Sequence, residues 1–534
     1  MLRSLLANYI DDVGERDLDY PILALLMAMG YFDVHFTHGN VEFGKDFIAK
    51  KKSDDAIIQY SFQSKAGNIN LAEWRNPIRG QMLEAATSGL SHPQFDKNLS
   101  HQSVLITTGK LAGNVALDLQ ELNNGLLSKL QITSIITWER NNLIEYFETY
   151  GLSVLLQITA ESLTEQADFF IVYAKCLQQK LSDREIELYS RKWINTSVDS
   201  KQHLLRIAIE SELLAHQCLT YGRVYEAVQV YSNAIRGIAR IAYKNNGTDH
   251  HLELIELYKQ TLGKVERLCV DFVTEFECAW HASSSGIVSM QPQGMMEYLV
   301  ICARVTELSS LAYFFTDQQD RRDAIARFLY TFVEREPGCG HIPSDRHAVS
   351  LVLATLVFAS QRENDYVHTL IRRAAVWLFD RYEKGIGLAT FEADEYIETA
   401  TLLGCAYELP NVVPASGSLV ASVLADLAAF SCNRELYSEI INDLKALQIF
   451  PNYWQTPDKE SLFSIDGEDV VGYPNIEYDS VFQDFQSFDF AQHIRAEPRD
   501  FALRTIFGAP IFIMLMFVLR DRYFPTMWPY IASK

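Results

Sequence analysis

Residues 42–67 read EFGKDFIAKKKSDDAIIQYSFQSKAG, and the way this stretch folds decides the N-terminal third of the chain. Two runs rich in β-branched and aromatic residues, 41–49 and 56–65, flank the polar segment KKKSDD. They are expected to pair as a hairpin, with Lys50, Lys51 and Lys52 in its solvated tip. Side chains two apart on a strand share a face. Gln63 and Lys65 therefore point the same way, as do Glu42 and Asp46 on the partner strand. If the two faces coincide, a carboxylate, an amide oxygen and an ammonium converge on one spot. A hairpin that only folds has no need of that set.

The flanking sequence supplies the rest of a small domain. DYPILALLMAMG (19–30) predicts a helix with Pro21 in its first turn and Gly30 as its stop. Asn76-Pro77 predicts a cap and first-turn proline for a helix running to about residue 89. SVLITTG (103–109) and QITSIITW (131–138) read as further strands, with a helical LAGNVALDLQELNN between them. Trp74 is expected to pack beneath the sheet. The order helix, strand, strand, helix, strand, helix, strand predicts an α/β domain over residues 1–150, a mixed sheet flanked by helices.

From residue 151 to 450 the pattern becomes all-α, with leucine, alanine and aromatic residues recurring at spacings of three and four. YGRVYEAVQVYSNAI (221–235) resembles the second helix of a tetratricopeptide-type hairpin, here spanning about 204–240, with Ala227, Tyr231 and Ala234 as its small-large-small packing positions. Loop-rich breaks fall at 334–345 and 451–475. Residues 451–534 are expected to form a loop-rich segment and a hydrophobic helix packed on the helical region. The apolar run GAPIFIMLMFVL (508–519) is twelve residues long. A membrane-spanning helix needs about twenty, so this run is expected in a core and membrane contact is not.

The net charge of −21 excludes a generally basic protein that coats nucleic acid. Residues 1–150 alone hold 13 basic against 18 acidic side chains, a difference of −5. Any phosphate contact would need a local patch, for which Lys50, Lys51, Lys52, Arg75 and Arg79 are the candidates. The eight cysteines all lie at Cys176 or later and form no CxxC pair. Cys278 with His281, and Cys339 with His341, lack the second pair that a zinc site needs. Free thiols in a reducing cytoplasm are expected, and a signal peptide is not, because MLRSLLANYIDDVGERD turns acidic before an apolar run develops. GxxxxGK[ST], GxGxxG and HExxH are absent, so nucleotide-driven work and zinc proteolysis find no motif.

The pattern EFGKD, then Gln63 seventeen residues after Asp46 in QSK, resembles the PD-(D/E)xK nuclease superfamily, and within it the Mrr-like restriction endonucleases. The resemblance covers residues 1–150 and implies a restriction-endonuclease-like fold. It implies that Asp46 is the motif's aspartate, Gln63 the second metal-ligand position and Lys65 the motif's lysine. Such enzymes are Mg²⁺-dependent (or Mn²⁺-dependent) endonucleases that cleave DNA, with RNA a further substrate to weigh. Most of the superfamily carries Asp or Glu at the second position. Gln fits the Mrr-like branch and leaves the site dependent on another acid, for which Glu42 and Glu15 are the candidates. Gln81, one turn after Pro77, is placed to reach the site or a phosphate. In this reading the helical region regulates the nuclease, binds a partner protein or forms a homo-oligomer, as suits a bacterial anti-phage defence or restriction effector. The competing expectation is a catalytically silent nuclease fold that binds nucleic acid on a helical protein-interaction scaffold.

Overall fold

In the computed structural model the hairpin is present, and its ladder runs without a break from Phe47↔Phe62 to Ser53↔Ala56. The structure describes all residues except 1, 38–44, 54–55, 89–94, 97–98, 100, 153–159, 195–199, 249–250, 284, 392, 407–416, 452–462, 464–500, 521–523, 525–526 and 534. Five strands form one mixed sheet: β1 (Phe32–Phe36), β2 (Phe47–Ser53), β3 (Ala56–Lys65), β4 (His101–Thr107) and β5 (Ile136–Trp138), in the order β1-β2-β3-β4-β5. β1, β2 and β3 pair antiparallel, while β3, β4 and β5 pair parallel.

Several boundaries differ from expectation. Lys50, Lys51 and Lys52 lie within β2 and not in the hairpin tip, which falls at residues 54–55, outside the described set. The strand expected to start at 41 starts at Phe47, and Glu42 also lies outside the described residues. The strand predicted over 131–138 shrinks to Ile136–Trp138. β1 was not foreseen.

Before the sheet come helices α1 (Leu2–Asp12) and α2 (Asp19–Ala28). Pro21 occupies the first turn of α2. Gly30, at φ +83°, ends it, and the amide of Tyr31 bonds back to the carbonyl of Leu26. The crossover from β3 to β4 begins earlier than predicted. Asn70 caps the short helix α3 (Leu71–Glu73), its side chain accepting from the amides of Ala72 and Glu73 while Glu73 accepts from the Asn70 amide. Asn76 is not a cap; it interrupts the helix with extended angles (φ −153°, ψ 106°), as steric pressure from the following proline dictates. Helix α4 (Arg79–Thr87) follows. Trp74, Ile78 and Met82 pack with Leu105 and with Val115 and Leu119 of α5 (Val115–Leu122), all buried. Each such side chain contributes roughly 1.5–3 kcal/mol through burial. The packing role expected for Trp74 is the one observed.

The chain divides into two compact units, Met1–Lys264 and Val265–Lys534. The first joins the sheet to a set of helices: α6 (Arg140–Tyr146), α7 (Ala160–Leu177), α8 (Asp183–Ile194), α9 (Ser200–Thr220), α10 (Val224–Lys244) and the start of α11 (His251–Ala282). α9 and α10 form a helical hairpin closed through Gly222 at φ +69°, with Ala227, Tyr231 and Ala234 buried. The second unit is largely helical. Its helix Pro510–Leu519 is a core element, with every residue from Ile511 to Leu519 buried. Next to it Arg520 and Glu307 form a buried bidentate pair at 2.8 and 3.1 Å. One described helix, Met295–Phe315, is long and apolar enough to cross a membrane, and 78% of its most apolar window is buried in the fold.

The ends of β3 and β4 are locked together just beyond Lys65. Thr107 Oγ1 donates to the Gly67 carbonyl at 2.6 Å, and the Gly67 amide donates to Thr108 Oγ1 at 2.7 Å. A Cβ on Gly109 would fall 2.3 Å from the Gly67 carbonyl carbon and 2.4 Å from the Asn68 nitrogen. Gly109→Ala is therefore expected to destabilise the first unit by about 2 kcal/mol, read as a lower urea midpoint with the second unit unaffected.

Candidate active site

Asp46 lies one residue before β2, and its amide donates to the Phe62 carbonyl at 2.8 Å. That bond extends the ladder by one pair and sets Asp46 beside Gln63. Oδ2 of Asp46 then accepts three hydrogen bonds: from Gln63 Nε2 at 2.9 Å, the Ser64 amide at 2.6 Å and Ser64 Oγ at 3.0 Å. All three residues are buried. Burial raises the Asp46 carboxyl above its ordinary value, while the Ser64 donors and the Lys65 charge pull it back. None of the three bonds involves Oδ1. The carbonyl oxygen of Gln63 is likewise not the atom turned to Asp46.

Lys65, at the last position of β3, places Nζ 2.8 Å from Glu15 Oε1. Glu15 belongs to a 3₁₀ turn, Glu15–Asp17, that leads into α2. This part-exposed pair is worth at most about 1 kcal/mol. Asp19, the first residue of α2, is the more telling acid. Its carboxyl is pushed up to about 8, first by burial and then by the negative charge of Asp46, with Glu15 and Asp17 adding and Lys264 opposing. Asp46, Glu15 and Asp19 thus feel one another's charge near the carboxyl end of β3, at the edge of an open sheet where ligands generally bind.

The structure therefore brings Asp46, Gln63, Lys65 and Glu15 into one neighbourhood. The other expected residues sit differently. Gln81 is on α4 with its Oε1 shielded from water and without a hydrogen-bond partner, and none of the hydrogen bonds among the described residues ties it to Asp46. Arg75 and Arg79 both face Asp118 of α5, at 3.3 and 3.4 Å. Lys50 bonds Asp33 at 2.7 Å and lies over the Phe95 ring, and Lys51 lies over the Tyr31 ring. These two lysines are engaged within the sheet and do not form the solvated basic tip expected of them. Lys52 is exposed.

No family model, curated protein or solved structure matches this chain.

Carboxylate and amide oxygens are the ligands of hard cations such as Mg²⁺ or Mn²⁺. Asp19 is raised first by burial and then by the Asp46 charge, and a divalent cation beside the two carboxyls would offset that repulsion. Among the described residues no group of three or more His, Cys, Asp or Glu side chains is already arranged to hold a metal ion. Asp46, Asp19 and the Gln63 carbonyl are the donors that would hold it. Two contributors escaped the sequence reading. Asp19 was passed over for Glu15, although both stand in ERDLDY, and Ser64 sits unremarked in the middle of QSK.

The electrostatics give a direct check. A carboxyl whose folded-state value exceeds its unfolded value keeps its proton in the fold over a range where the unfolded chain has lost it. Between about 4 and about 8, Asp19 therefore makes stability fall as pH rises. In EDTA, the wild-type melting temperature is expected to drop across this window more steeply than that of Asp19→Asn, and divalent cation should flatten the wild-type decline.

Proposed function

We propose that this chain is a Mg²⁺- or Mn²⁺-dependent endonuclease that hydrolyses phosphodiester bonds in DNA, with a catalytic domain of the PD-(D/E)xK, Mrr-like type. The observation that carries the reading is the contact between Asp46 and Gln63 beside the end of β3, with Lys65 two residues on. Glu15 and Asp19 approach the same point from the turn before α2 and the helix start. The strand order, an antiparallel hairpin feeding a helical crossover to parallel strands, supports it as well.

The bound cation would supply a polarised phosphate oxygen and an activated water. Asp46, Asp19 and the Gln63 carbonyl oxygen would hold that cation. The Gln63 side chain and the Ser64 amide and hydroxyl hold Oδ2 of Asp46, so Oδ1 is the oxygen that would serve the cation. Lys65 is close by; released from Glu15, it would face the non-bridging phosphate oxygens and the charge that grows on them. Such chemistry on a chain with a large helical portion suits an effector of bacterial defence whose cutting is switched on by a trigger.

One observation favours a second reading. The Lys65–Glu15 pair at 2.8 Å engages the catalytic lysine with a neighbouring acid, as it would in a fold retained only to bind nucleic acid.

Supercoiled plasmid incubated with the full chain and Mg²⁺ or Mn²⁺ decides between them. Metal-dependent nicking or linearisation is expected, falling about 100-fold or more in Asp46→Ala and Lys65→Ala. The same assay on structured and single-stranded RNA defines the substrate. Equal cleavage by all three proteins would sink the assignment, and metal-independent binding without cleavage would favour the second reading.

A further inference from the structure

Helix α2 has a proline at position 21, and that residue leaves a gap in the hydrogen bonding of the site. Leu18 has helical angles, and the amide of Ile22 bonds its carbonyl at 3.0 Å. Residue 21, a proline in the first turn, has no amide to offer the Asp17 carbonyl four residues back. Lys264, on α11 and 247 residues away in sequence, reaches that carbonyl: its Nζ lies 2.8 Å from the Asp17 oxygen, with Tyr9 Oη a longer second donor at 3.5 Å.

Lys264 is itself held. Its Nζ bonds Glu212 Oε1 at 2.5 Å, and the two side chains are 5% and 2% exposed. The other oxygen, Glu212 Oε2, accepts from Tyr9 Oη at 3.0 Å and from Tyr231 Oη at 3.1 Å. The ammonium also lies over the Tyr20 and Tyr231 rings. A buried ion pair generally adds little net stability, since desolvation offsets most of its attraction. This one is saturated with donors and aimed at a single backbone carbonyl, in the turn that carries Glu15 and leads into Asp19.

We propose that Lys264, seated on Glu212, is a positioning residue for the acidic side of the candidate metal site: it fixes the Glu15–Asp17 turn and, through it, the placement of Glu15 and Asp19. The inference rests on the metal-dependent reading above. It makes the α9–α10 hairpin and α11 part of the site's construction, so that the sheet alone does not hold the acids in place. Glu212 acts through Lys264, and neither residue touches substrate or metal.

The experiment uses the full chain and the double variant Lys264→Met/Glu212→Gln, which removes both charges together and so leaves no unpaired buried ion. Three quantities are read: amide hydrogen exchange at Asp17 and Leu18, Mn²⁺ affinity by electron paramagnetic resonance, and the Mg²⁺ dependence of plasmid cleavage. Exchange is expected to quicken and Mn²⁺ affinity to fall about tenfold. The Mg²⁺ needed for half-maximal cleavage should rise by a similar factor, with the rate at saturating metal nearly unchanged. Adding Pro21→Ala, which restores an amide donor for the Asp17 carbonyl, should recover much of the lost affinity; a contribution to global stability alone would give no such rescue. Wild-type exchange and metal affinity in a folded double variant would overturn the proposal. Should the double variant not fold, Pro21→Ala with Lys264→Met alone carries the test, and failure of that pair to bind Mn²⁺ more tightly than Lys264→Met overturns it. A wild-type chain that neither binds Mn²⁺ nor cleaves overturns the metal reading itself, and the exchange data then show separately whether Lys264 fixes the turn.

Discussion

Three hydrogen bonds converge on one oxygen of Asp46, and much of the first unit is arranged around making them possible. A buried carboxylate is costly unless donors replace the water it loses. Here the donors come from Gln63 and Ser64, so they are in place only if β2 and β3 pair in the observed register. A slip of one residue would turn Gln63 to the opposite face. Phe47 opposite Phe62 pins that register from the apolar side, where Tyr31, Phe62 and Trp138 pack ring against ring. Hydrophobic packing on one side of the strands thus decides where a polar contact falls at their end.

The same satisfaction is incomplete for the acids that approach from α2. Glu15 has Lys65, whereas Asp19 has burial and three acidic neighbours against the Lys264 charge. Stability by itself would favour an amide or a small apolar residue at Asp19. In the proposed reading a carboxyl kept protonated there would give up its proton to a divalent cation, which would then offset the cost of its burial.

How much of this was visible in the sequence follows from the range of the interactions. The hairpin was legible because its alternation is local and its partners are close in sequence. The Lys50–Lys52 run was misread because a charge cluster between two strands looks like a turn. In the fold, the ammonium groups of Lys50 and Lys51 lie over the Phe95 and Tyr31 rings, and that of Lys50 also pairs with Asp33. β1 was hidden by its own irregularity: Asp33 has φ +48°, the pairing register shifts between Phe32 and His35, and Val34 alone is buried. Asp19 was obscured because an acid at a helix start is ordinarily a partner of the helix dipole. Lys264 was beyond reach, since no short-range pattern links position 264 to the carbonyl of residue 17.

In the proposed reading an acidic chain would have to bind a polyanion. At −21 overall and −5 across the first 150 residues, the protein's average field repels DNA, and of the basic side chains expected to offset it, Lys50, Arg75 and Arg79 are paired with acids on the protein itself. Attraction at close range would then have to come from the bound cation and from Lys65. A cation held by Asp46, and by Asp19 as it lost its proton, would put positive charge where a phosphate must approach. If it also drew on Glu15, it would free Lys65 to face the substrate. Metal binding and substrate binding would be coupled by electrostatics alone, with no moving domain required. Binding would strengthen with divalent cation at fixed ionic strength, the reverse of the weakening that counterion competition imposes on a basic-patch protein.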